Sequence, residues 1–418
     1  MRARSLRCVN CQREYSLELH YHCDECGFPL EVTYEGTGVA PLADANERGV
    51  WRFSQFLPPV APRERVSLGE GNTPLLPAAK LGDRMGLPGL FVKNEGQNPT
   101  GSFKDRPMAV GVGMALTLGL DTVAASSTGN AGASLAAYAA AAGMRALVFV
   151  TGRTPPAKLA QICMYGARPV VVRGSLSDVF WLVYRASQQM GWMNLTSTFL
   201  CAYTVEGDKT PAYEIYEALG RAPDWVVVPV SVGPLLVGIF KGFLELKAMG
   251  LVTGLPRMVA AQAAACGPIA RAFARGEETV SKWDEGTTTI AGGIADPLAG
   301  YERDGTYALR IVRTSGGFAS ASTDPEIRKA TMDLAATEGI FGEPTGAVSV
   351  AALDQIKRHP EYRAGQTLVC MLTGHGLKQV GSFESAVTMP DPIEPTMEAL
   401  SALLSRSDHE QAAKEDPG

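Results

Sequence analysis

The chain lacks any excess of basic residues and any long uninterrupted apolar segment. Lysine and arginine number 38 against 43 aspartates and glutamates, which gives a net charge of −5. This balance provides no positive field to gather nucleic acid or an anionic membrane, so we expect neither as a partner. The most apolar long stretch, residues 131–150, is interrupted by Gly143 and Arg145, and the basic start leads into cysteines instead of an apolar segment. These absences predict a cytoplasmic protein that acts on small molecules.

Cysteine is also scarce, and its eight copies fall into two groups. The first group forms two C-x-x-C pairs separated by eleven residues: Cys8, Cys11, Cys23 and Cys26. This spacing suits one tetrahedral Zn(II) ion, and a segment of about thirty residues is too small to be held by apolar burial alone. Two disulfides or loose reduced thiols remain alternatives. The second group is scattered through apolar sequence, where we expect buried reduced thiols: Cys163, Cys201, Cys266 and Cys370.

Short apolar runs alternate with helical patterns along the body of the chain. A hydrophobic content of 46% with 19% charged residues is typical of a globular protein. The runs predicted as buried strands are 90–93, 146–150, 169–172, 225–230 and 368–372. The patterns predicted as helices are 106–118, 131–142, 156–165, 177–190 and 211–219. Their alternation predicts an α/β fold with parallel sheets covered by helices.

Three polar loops lie between residues 69 and 130. They are Gly69–Leu75, Asn98–Arg106 and Ser126–Asn130, and the last opens a helix rich in alanine. The central loop contains a glycine and places Lys104 directly before an apolar helix. A partly neutral lysine amine in such a position can form a Schiff base with an aldehyde. Together the loops indicate a site for pyridoxal phosphate (PLP).

A further segment, residues 228–238, has the pattern expected of a phosphate cradle. An apolar strand ends there, Gly233 permits a turn, and Pro234 suits the first position of a helix. Backbone N–H groups at a helix start favour an anion. A glycine turn between a strand and a helix in any α/β protein is the alternative interpretation.

In this order and spacing, the loops resemble those of the threonine synthase branch of the fold-type-II PLP enzymes, over about residues 66–380. The resemblance implies a two-domain, tryptophan synthase β-like α/β fold, with a small domain inserted in a larger one, plus a small N-terminal zinc ribbon. The expected division is a zinc-ribbon-like module 1–35, a linker 36–65, a large PLP-binding domain 66–108 and 206–392, a small domain 109–205, and a C-terminal helix and disordered tail 393–418. Members of this family are commonly dimers, so a homodimer is expected.

The resemblance also implies roles for individual residues. Lys104 is the catalytic Schiff-base lysine, Asn130 bonds the 3′-oxygen of PLP, and Thr373 faces the pyridine nitrogen. The other cofactor-binding residues are expected to be Phe103, Ser231, Val232, Gly233, Leu235 and Leu236. The substrate, an amino acid, is expected to contact Ser127, Thr128, Gly129, Thr204 and Lys209. Glu343 also matches the family pattern.

Two segments depart from that pattern. The loop at 231–233 has a single central glycine where the family is rich in glycine and asparagine. Ahead of Glu206–Thr210, Thr204 stands where the family has an arginine for the substrate phosphate. Losing such an arginine removes about 1.5 to 3 kcal/mol of charge-assisted bonding. Either Lys209 and the hydroxyl groups at 196–198 bind the phosphate, or the substrate is not O-phosphohomoserine.

Three hypotheses of function therefore stand. The first is threonine synthase, a lyase that converts O-phosphohomoserine and water to threonine and phosphate. The second is a related PLP enzyme that performs β-elimination or β-replacement on phosphoserine or another activated serine or threonine, as cysteate synthases and dehydratases do. The third is a catalytically silent PLP fold with a zinc ribbon that serves as a binding module.

Overall fold

The computed structural model describes residues 1–36, 38, 41–152, 154, 156–284, 286–386 and 391–405. The chain consists of two compact units, Met1–Gln379 and Val380–Gly418. In the second unit, residues 397–405 are helical. The predicted disordered tail lies outside the described residues. None of the described helices is long and apolar enough to cross a membrane.

Thirteen strands of the described residues form three sheets. They are β1 Arg2–Cys8, β2 Glu14–Tyr15, β3 Leu30–Glu35, β4 Leu75–Pro77, β5 Leu90–Asn94, β6 Thr122–Ser126, β7 Arg145–Thr151, β8 Arg168–Val172, β9 Met193–Asn194, β10 Trp225–Pro229, β11 Arg257–Ala263, β12 Phe318–Ser322 and β13 Leu368–Leu372.

Besides the helical residues 397–405, the described part of the chain forms α-helices and 3-10 helices. The α-helices are α1 Ala79–Met85, α2 Asp105–Thr117, α3 Asn130–Ala142, α4 Pro156–Met164, α5 Leu176–Met190, α6 Ala202–Asp208, α7 Thr210–Leu219, α8 Pro234–Ala248, α9 Pro268–Ala274, α10 Glu302–Thr314, α11 Asp324–Glu338, α12 Pro344–Ala351 and α13 Leu353–Lys357. The 3-10 helices are Gly49–Phe56, Pro62–Glu64, Glu95–Gln97, Gly292–Ile294 and Gly376–Ala386.

Two sheets carry the α/β body. The larger has the order β12-β11-β10-β13-β5-β4, with β4 as the antiparallel edge strand and the other strands parallel. The smaller has the order β8-β7-β6-β9 and is parallel throughout. Parallel strands need crossover helices on their faces. The predicted fold class, parallel sheets covered by helices, is confirmed.

The strands at the centre of the larger sheet are buried on both faces. β10 reads Trp-Val-Val-Val-Pro, and all five of its residues are buried. Its neighbour β11, and the edge strand β12 beyond β11, contain several alanines and serines. Small side chains let helices approach the sheet closely, so packing here depends on fit as well as on apolar area.

The cysteine-containing segment forms a sheet of its own. β1 pairs antiparallel with β2 and with β3, and the register with β3 shifts between Ala3 and Ser5. Leu6 and Leu30 are buried and join the core that also contains part of the body. Of the second cysteine group, Cys201, Cys266 and Cys370 are buried as predicted. The prediction for Cys163 was wrong, because its place on α4 leaves it exposed.

Candidate active site

The loop before α2 is held rigidly by its own polar side chains. Gly101 has φ +83°, a conformation that favours glycine. The Asp105 carboxylate accepts hydrogen bonds from the Thr100 N–H at 2.7 Å, the Thr100 hydroxyl at 2.6 Å and the Ser134 hydroxyl at 2.6 Å. The Phe103 N–H donates to the Thr373 carbonyl at 3.0 Å. These bonds fix the backbone on both sides of the lysine.

Lys104 immediately precedes α2 and extends into a cavity. Its amine bonds the Ser197 hydroxyl and lies 4.1 Å from the centre of the Phe103 ring. Burial lowers the pKa of Lys104 to about 8, although the negative charges of Asp208 and Glu343 act in the opposite direction. With this pKa, roughly a tenth of the amine is neutral at pH 7, and the neutral form is the one that a nucleophile or base requires.

Arg106, two residues further on, sits behind the loop in a closed ionic network. Its guanidinium contacts Glu95 at 2.7 Å and Glu214 at 2.7 Å, and Lys93 reaches Glu214 at 2.6 Å. The Thr73 hydroxyl donates to Glu95, which ties the upstream polar loop into the same network. The network joins β5, α2 and α7, so it sets the position of the Lys104 loop against the larger sheet.

The cavity has a volume of about 560 Å³ and brings together nearly all of the predicted site. This volume is within the range of small-molecule sites. The predicted catalytic, cofactor and substrate residues that line it are Phe103, Lys104, Ser127, Thr128, Gly129, Asn130, Ser231, Val232, Gly233, Leu235, Leu236 and Thr373.

The segment after β10 forms one wall of the cavity as a turn into α8. Gly233 has φ +124°, and a Cβ there would lie 2.5 Å from the Ala308 Cβ, so both conformation and space require glycine. Pro234 occupies the first turn of α8, as the sequence predicted. The first N–H groups of a helix have no intrahelical partner and favour an anion.

The loop after β6 also lines the cavity. The Ser127 hydroxyl accepts from the Gly132 N–H at 2.9 Å and thereby closes the first turn of α3. The Asn130 amide donates to Glu343 at 2.8 Å, which links this loop to the start of α12. The Ser127–Gly129 backbone thus lies at a helix start, an arrangement suited to a carboxylate.

The first four cysteines also converge. The four sulfur atoms all lie within 4.8 Å of one another. Two of the sulfur pairs, Cys8 with Cys26 and Cys11 with Cys23, are 3.4 Å apart, and all four are free thiols. Four thiolates about 2.3 Å from one zinc ion would lie about 3.8 Å from one another, so the cluster fits a tetrahedral metal.

Comparison with known proteins decides the family. The model of the family "Pyridoxal-phosphate dependent enzyme" matches residues 66–374. The chain is 37% identical over 401 residues to the threonine synthase of Methanosarcina acetivorans, covering 94% of this chain and 97% of that protein. It is 38% identical over 407 residues to the threonine synthase of Methanocaldococcus jannaschii, covering 95% and 98%. The chain belongs to the threonine synthase family of PLP-dependent enzymes.

Solved structures agree on the fold. Threonine deaminase isoform 2 of Solanum lycopersicum superposes with a TM-score of 0.63 at 18% identity, covering 85% of this chain and 99% of that one. Diaminopropionate ammonia lyase of Escherichia coli superposes with a TM-score of 0.63 at 18% identity, covering 84% of this chain and 94% of that one. At these identities the likeness concerns the fold alone.

The residues of this PLP-family cavity fit the cofactor. Lys104 provides an amine of lowered pKa, and the start of α8 provides N–H donors for a phosphate. The Thr373 hydroxyl is buried and has no hydrogen-bond partner among the described residues. A buried hydroxyl is rarely left unpaired, so this one is suited to a ligand atom such as a ring nitrogen.

Two predicted substrate residues are not brought to the cavity. The Lys209 ammonium is fully buried between Glu206 at 2.6 Å and Glu245 at 2.8 Å. The Thr204 hydroxyl donates to the Cys201 carbonyl at 2.7 Å, inside the helix that it helps to begin. Neither residue is among those that line the cavity.

Ser197 is one of the hydroxyl residues at 196–198 that the sequence offered for the substrate phosphate, whereas Glu343, Lys378 and Asp208 had no role assigned from the sequence. Ser197 and Glu343 line the cavity, and Lys378 does so while bonding the Thr100 carbonyl at 2.7 Å and Gln161 at 2.8 Å. Lys378 follows Thr373 by five residues, and this closeness in sequence was the signal that could have indicated a role at the site. Asp208 is buried beside Lys104, and burial raises the pKa of Asp208 to about 7 against the opposing charges of Lys104 and Arg106.

Proposed function

We propose that this protein catalyses the threonine synthase reaction, conversion of O-phosphohomoserine and water to threonine and phosphate, with PLP held on Lys104 as a Schiff base. The single observation that carries the proposal is the convergence, in one cavity, of Lys104, the start of α8 and the unpaired Thr373 hydroxyl. Relatives that share this chain almost from end to end have the name threonine synthase.

The cofactor residues divide the binding of PLP between them. The start of α8, with Ser231–Leu236, would hold the phosphate, Thr373 would face the ring nitrogen, and Asn130 would meet the 3′-oxygen, beside the Phe103 ring. When bound, PLP withdraws electrons from the attached amino acid and so makes its α-proton easier to remove. A threonine hydroxyl is a neutral partner, so it would not hold the ring nitrogen in its charged form.

The chain's own groups handle the protons and the substrate. Lys104, whose pKa is about 8, can take a proton from the α-carbon and then one from the β-carbon, which allows phosphate to leave from the γ-carbon. Protons returned to the γ-carbon and to the α-carbon, with water adding at the β-carbon, complete the conversion to threonine. The Ser197 hydroxyl accepts a hydrogen bond from the lysine and orients it. Ser127, Thr128 and Gly129 would bind the substrate carboxylate at the start of α3.

Lys378 is our proposed partner for the substrate phosphate in place of the family's arginine. Among the described residues lining the cavity, the cations are Lys104 and Lys378, and no arginine is present. Thr204 and Lys209, named for this task from the sequence, lack access to the cavity. A lysine satisfies a phosphate as a point charge, and two of its three donors are engaged by Thr100 and Gln161.

The missing arginine also favours a second candidate function. A substrate whose leaving group is on the β-carbon, phosphoserine or another activated serine or threonine, would undergo β-elimination or β-replacement in the same cavity. Asp296 lines the cavity, where its carboxylate accepts a hydrogen bond from the Tyr301 hydroxyl at 2.8 Å. This carboxylate adds negative charge to the cavity lining.

A substrate panel tests the two functions. Purified protein loaded with PLP is incubated separately with phosphohomoserine, phosphoserine, serine and threonine, and phosphate, threonine and 2-oxo acids are followed. Phosphate and threonine in equal amounts from phosphohomoserine alone support the first function. Phosphate from phosphoserine, or 2-oxo acid from serine or threonine without reaction of phosphohomoserine, supports the second.

We further propose that Cys8, Cys11, Cys23 and Cys26 bind one structural Zn(II), and that the chain works as a homodimer in the cytoplasm. The clustered free thiols support the metal. We also retain the domain division given by the sequence, with a small domain at 109–205. It is supported by the smaller parallel sheet, whose strands lie between Thr122 and Asn194.

A further inference from the structure

The cysteine module, defined here as residues 1–35, contacts the edge of the smaller parallel sheet. β9 is the edge strand and consists of Met193 and Asn194. An edge strand exposes N–H and C=O groups that a further strand would pair. Tyr21 takes that place, because its hydroxyl donates to the Trp192 carbonyl at 2.8 Å and accepts from the Asn194 N–H at 3.1 Å. One side chain of the module therefore closes the edge.

Tyr21 is firmly seated. It is 7% exposed and packs in one apolar cluster with Phe180 and Leu200. Its ring also meets that of Tyr184 edge-on, with 5.7 Å between ring centres. Since both the donor and the acceptor capacity of the hydroxyl are used, its removal would leave two backbone groups unpaired.

Hydrogen bonds to Thr196, and the peptide link from Thr196 to Ser197, connect β9 with the catalytic lysine. The Asn194 side chain accepts from the Thr196 N–H at 3.0 Å and the Thr196 hydroxyl at 2.6 Å. The Thr196 hydroxyl in turn accepts from the Ser126 N–H at 3.0 Å, at the end of β6. The next residue, Ser197, holds the Lys104 amine. The position of Ser197 thus depends on how β9 is held.

The cysteine cluster fixes the backbone that carries Tyr21. Cys23 lies two residues further on, where its N–H donates to the Phe28 carbonyl at 3.0 Å and its carbonyl accepts from the Gly27 N–H at 2.8 Å. The Tyr15 hydroxyl donates to the Cys23 sulfur at 3.3 Å. A metal that joined the four sulfurs would hold this turn, and with it Tyr21, closed against β9.

We propose that Tyr21 is a positioning residue for the active site, through which the metal-closed cysteine module holds β9 and places Ser197 beside Lys104. Its catalytic consequence rests on the proposed function. Its geometric content, the support of β9 by one tyrosine hydroxyl, can be tested without turnover.

Tyr21→Phe in the PLP-loaded enzyme tests the inference, with Tyr184→Phe as the matched control. The Tyr184 ring meets that of Tyr21 edge-on, but the Tyr184 hydroxyl contacts His22 and Gln188. We expect amide hydrogen exchange at Asn194 and Thr196 to become about tenfold faster or more in Tyr21→Phe and to stay unchanged in Tyr184→Phe. Equal protection in Tyr21→Phe and wild type, or the same change in both variants, would overturn the inference.

The catalytic consequence is tested by the near-visible absorbance of Lys104-bound PLP and by steady-state kinetics. In Tyr21→Phe we expect the pH midpoint of this absorbance to move. We also expect kcat to fall about tenfold and KM to change less than about twofold, because a small misplacement of a catalytic group lowers the rate of the chemical step. A drop in thermal stability with an unmoved pH midpoint and unchanged kcat would reduce Tyr21 to a purely structural role. If wild type turns over none of the four substrates, the proposed function fails, while the exchange and absorbance comparisons still decide about Tyr21.

Two further measurements keep the test decisive if Tyr21→Phe folds poorly. Thr196→Val interrupts the hydrogen bonds one step later, so it should move the same pH midpoint while the Asn194 amide stays protected. Removal of the metal by a chelator should speed exchange at Asn194 in wild type and add nothing there in Tyr21→Phe, because both act through one contact. An unmoved midpoint in Thr196→Val, or additive effects of chelator and Tyr21→Phe, would contradict the proposal.

Discussion

Lys104 and Arg106 lie two residues apart at the start of α2, and the protein treats their charges in opposite ways. Arg106 is fully buried and meets two carboxylates. Burial alone would lower the pKa of Arg106, but Glu214 and Glu95 hold it well above its ordinary value. The Lys104 amine bonds a neutral hydroxyl, and burial lowers its pKa to about 8. The charge of Arg106 is paired with two carboxylates and fixes the loop. The charge of Lys104 is incompletely compensated, so its amine remains available for chemistry.

The same contrast separates Lys209 from Lys378. Lys209 is fully buried, with carboxylates of Glu206 and Glu245 on its ammonium and the Tyr34 ring 4.2 Å away. Lys378 lines the cavity, and its amine bonds a carbonyl and an amide oxygen, both neutral. A lysine surrounded by neutral acceptors keeps attraction for an anionic ligand, whereas one already neutralised by two carboxylates does not.

The largest effect is expected from Lys104→Ala. We expect activity to fall about 10³-fold or more, because the variant lacks both the attachment of PLP and the base. The near-visible absorbance of bound PLP should disappear. The free energy of unfolding of the cofactor-free proteins should differ by no more than about 1 kcal/mol. Absorbance, phosphate release and denaturant unfolding check this. Retained near-visible absorbance would place the cofactor on another group.

Arg106→Met should lower the free energy of unfolding, whereas Lys104→Ala should lower the activity. Removing one partner of a buried ionic network leaves uncompensated charge, which costs about 3–5 kcal/mol. Denaturant unfolding at pH 7 measures the loss, and Arg84→Met, on the exposed face of α1, is the control. A loss below about 1 kcal/mol would contradict the contrast between the two residues.

The pH dependence of the Arg106→Met defect has a definite sign. Burial alone would raise the pKa of Glu214, but Arg106 and Lys93 outweigh it and hold that pKa well below the usual range. This contribution to stability is present above the unfolded pKa of about 4.3 and is lost as pH falls through the folded value. In the variant, Glu214 keeps its contact with Lys93, but Glu95 loses its ion-pair partner, so burial favours the protonated carboxyl of Glu95. The difference in unfolding free energy between wild type and variant should therefore shrink from pH 7 to pH 4.

Lys378→Met and Lys209→Met compare the two other lysines. If Lys378 binds the substrate phosphate, its loss should raise KM for phosphohomoserine about tenfold, as expected for one charged hydrogen bond of about 1.5 kcal/mol. Lys209→Met should lower stability and leave KM nearly unchanged. Steady-state kinetics of phosphate release, together with thermal unfolding, separates the outcomes. A raised KM in Lys209→Met alone would return the phosphate role to Lys209.

Local sequence patterns predicted the elements that carry the site. The helices predicted at 131–142 and 211–219 begin one residue earlier in the structure, and the strand predicted at 368–372 has those bounds. These segments have clear apolar periodicity and glycine or proline at their ends. Strands β6, β11 and β12 were not among those predicted, since runs of alanine and serine do not distinguish a buried strand from a helix.

Contacts between side chains far apart in the chain could not be predicted from the sequence. Lys209 could be recognised as part of a polar segment, but its partner Glu245 lies 36 residues away on α8. The contact between Tyr21 and β9 joins residues 173 positions apart. In both cases the distant partner decides whether a polar side chain is structural or free for a ligand.

Asp208→Asn should give the smallest effect and sharpen the account of Lys104. Asp208 is buried, and its Oδ1 atom has no hydrogen-bond partner among the described residues, so the amide replaces it with little loss of bonding. Its negative charge acts to raise the pKa of Lys104, which burial sets at about 8. The variant should therefore have a Lys104 pKa below that of wild type, and its apoenzyme should capture PLP at lower pH. The pH dependence of the capture rate, followed by absorbance, measures this. Asp83→Asn removes the same charge from the exposed surface of α1 and should leave the midpoint unchanged. An unchanged midpoint in Asp208→Asn would mean that the charge of Asp208 does not reach the lysine, and an upward shift would contradict the sign of the effect.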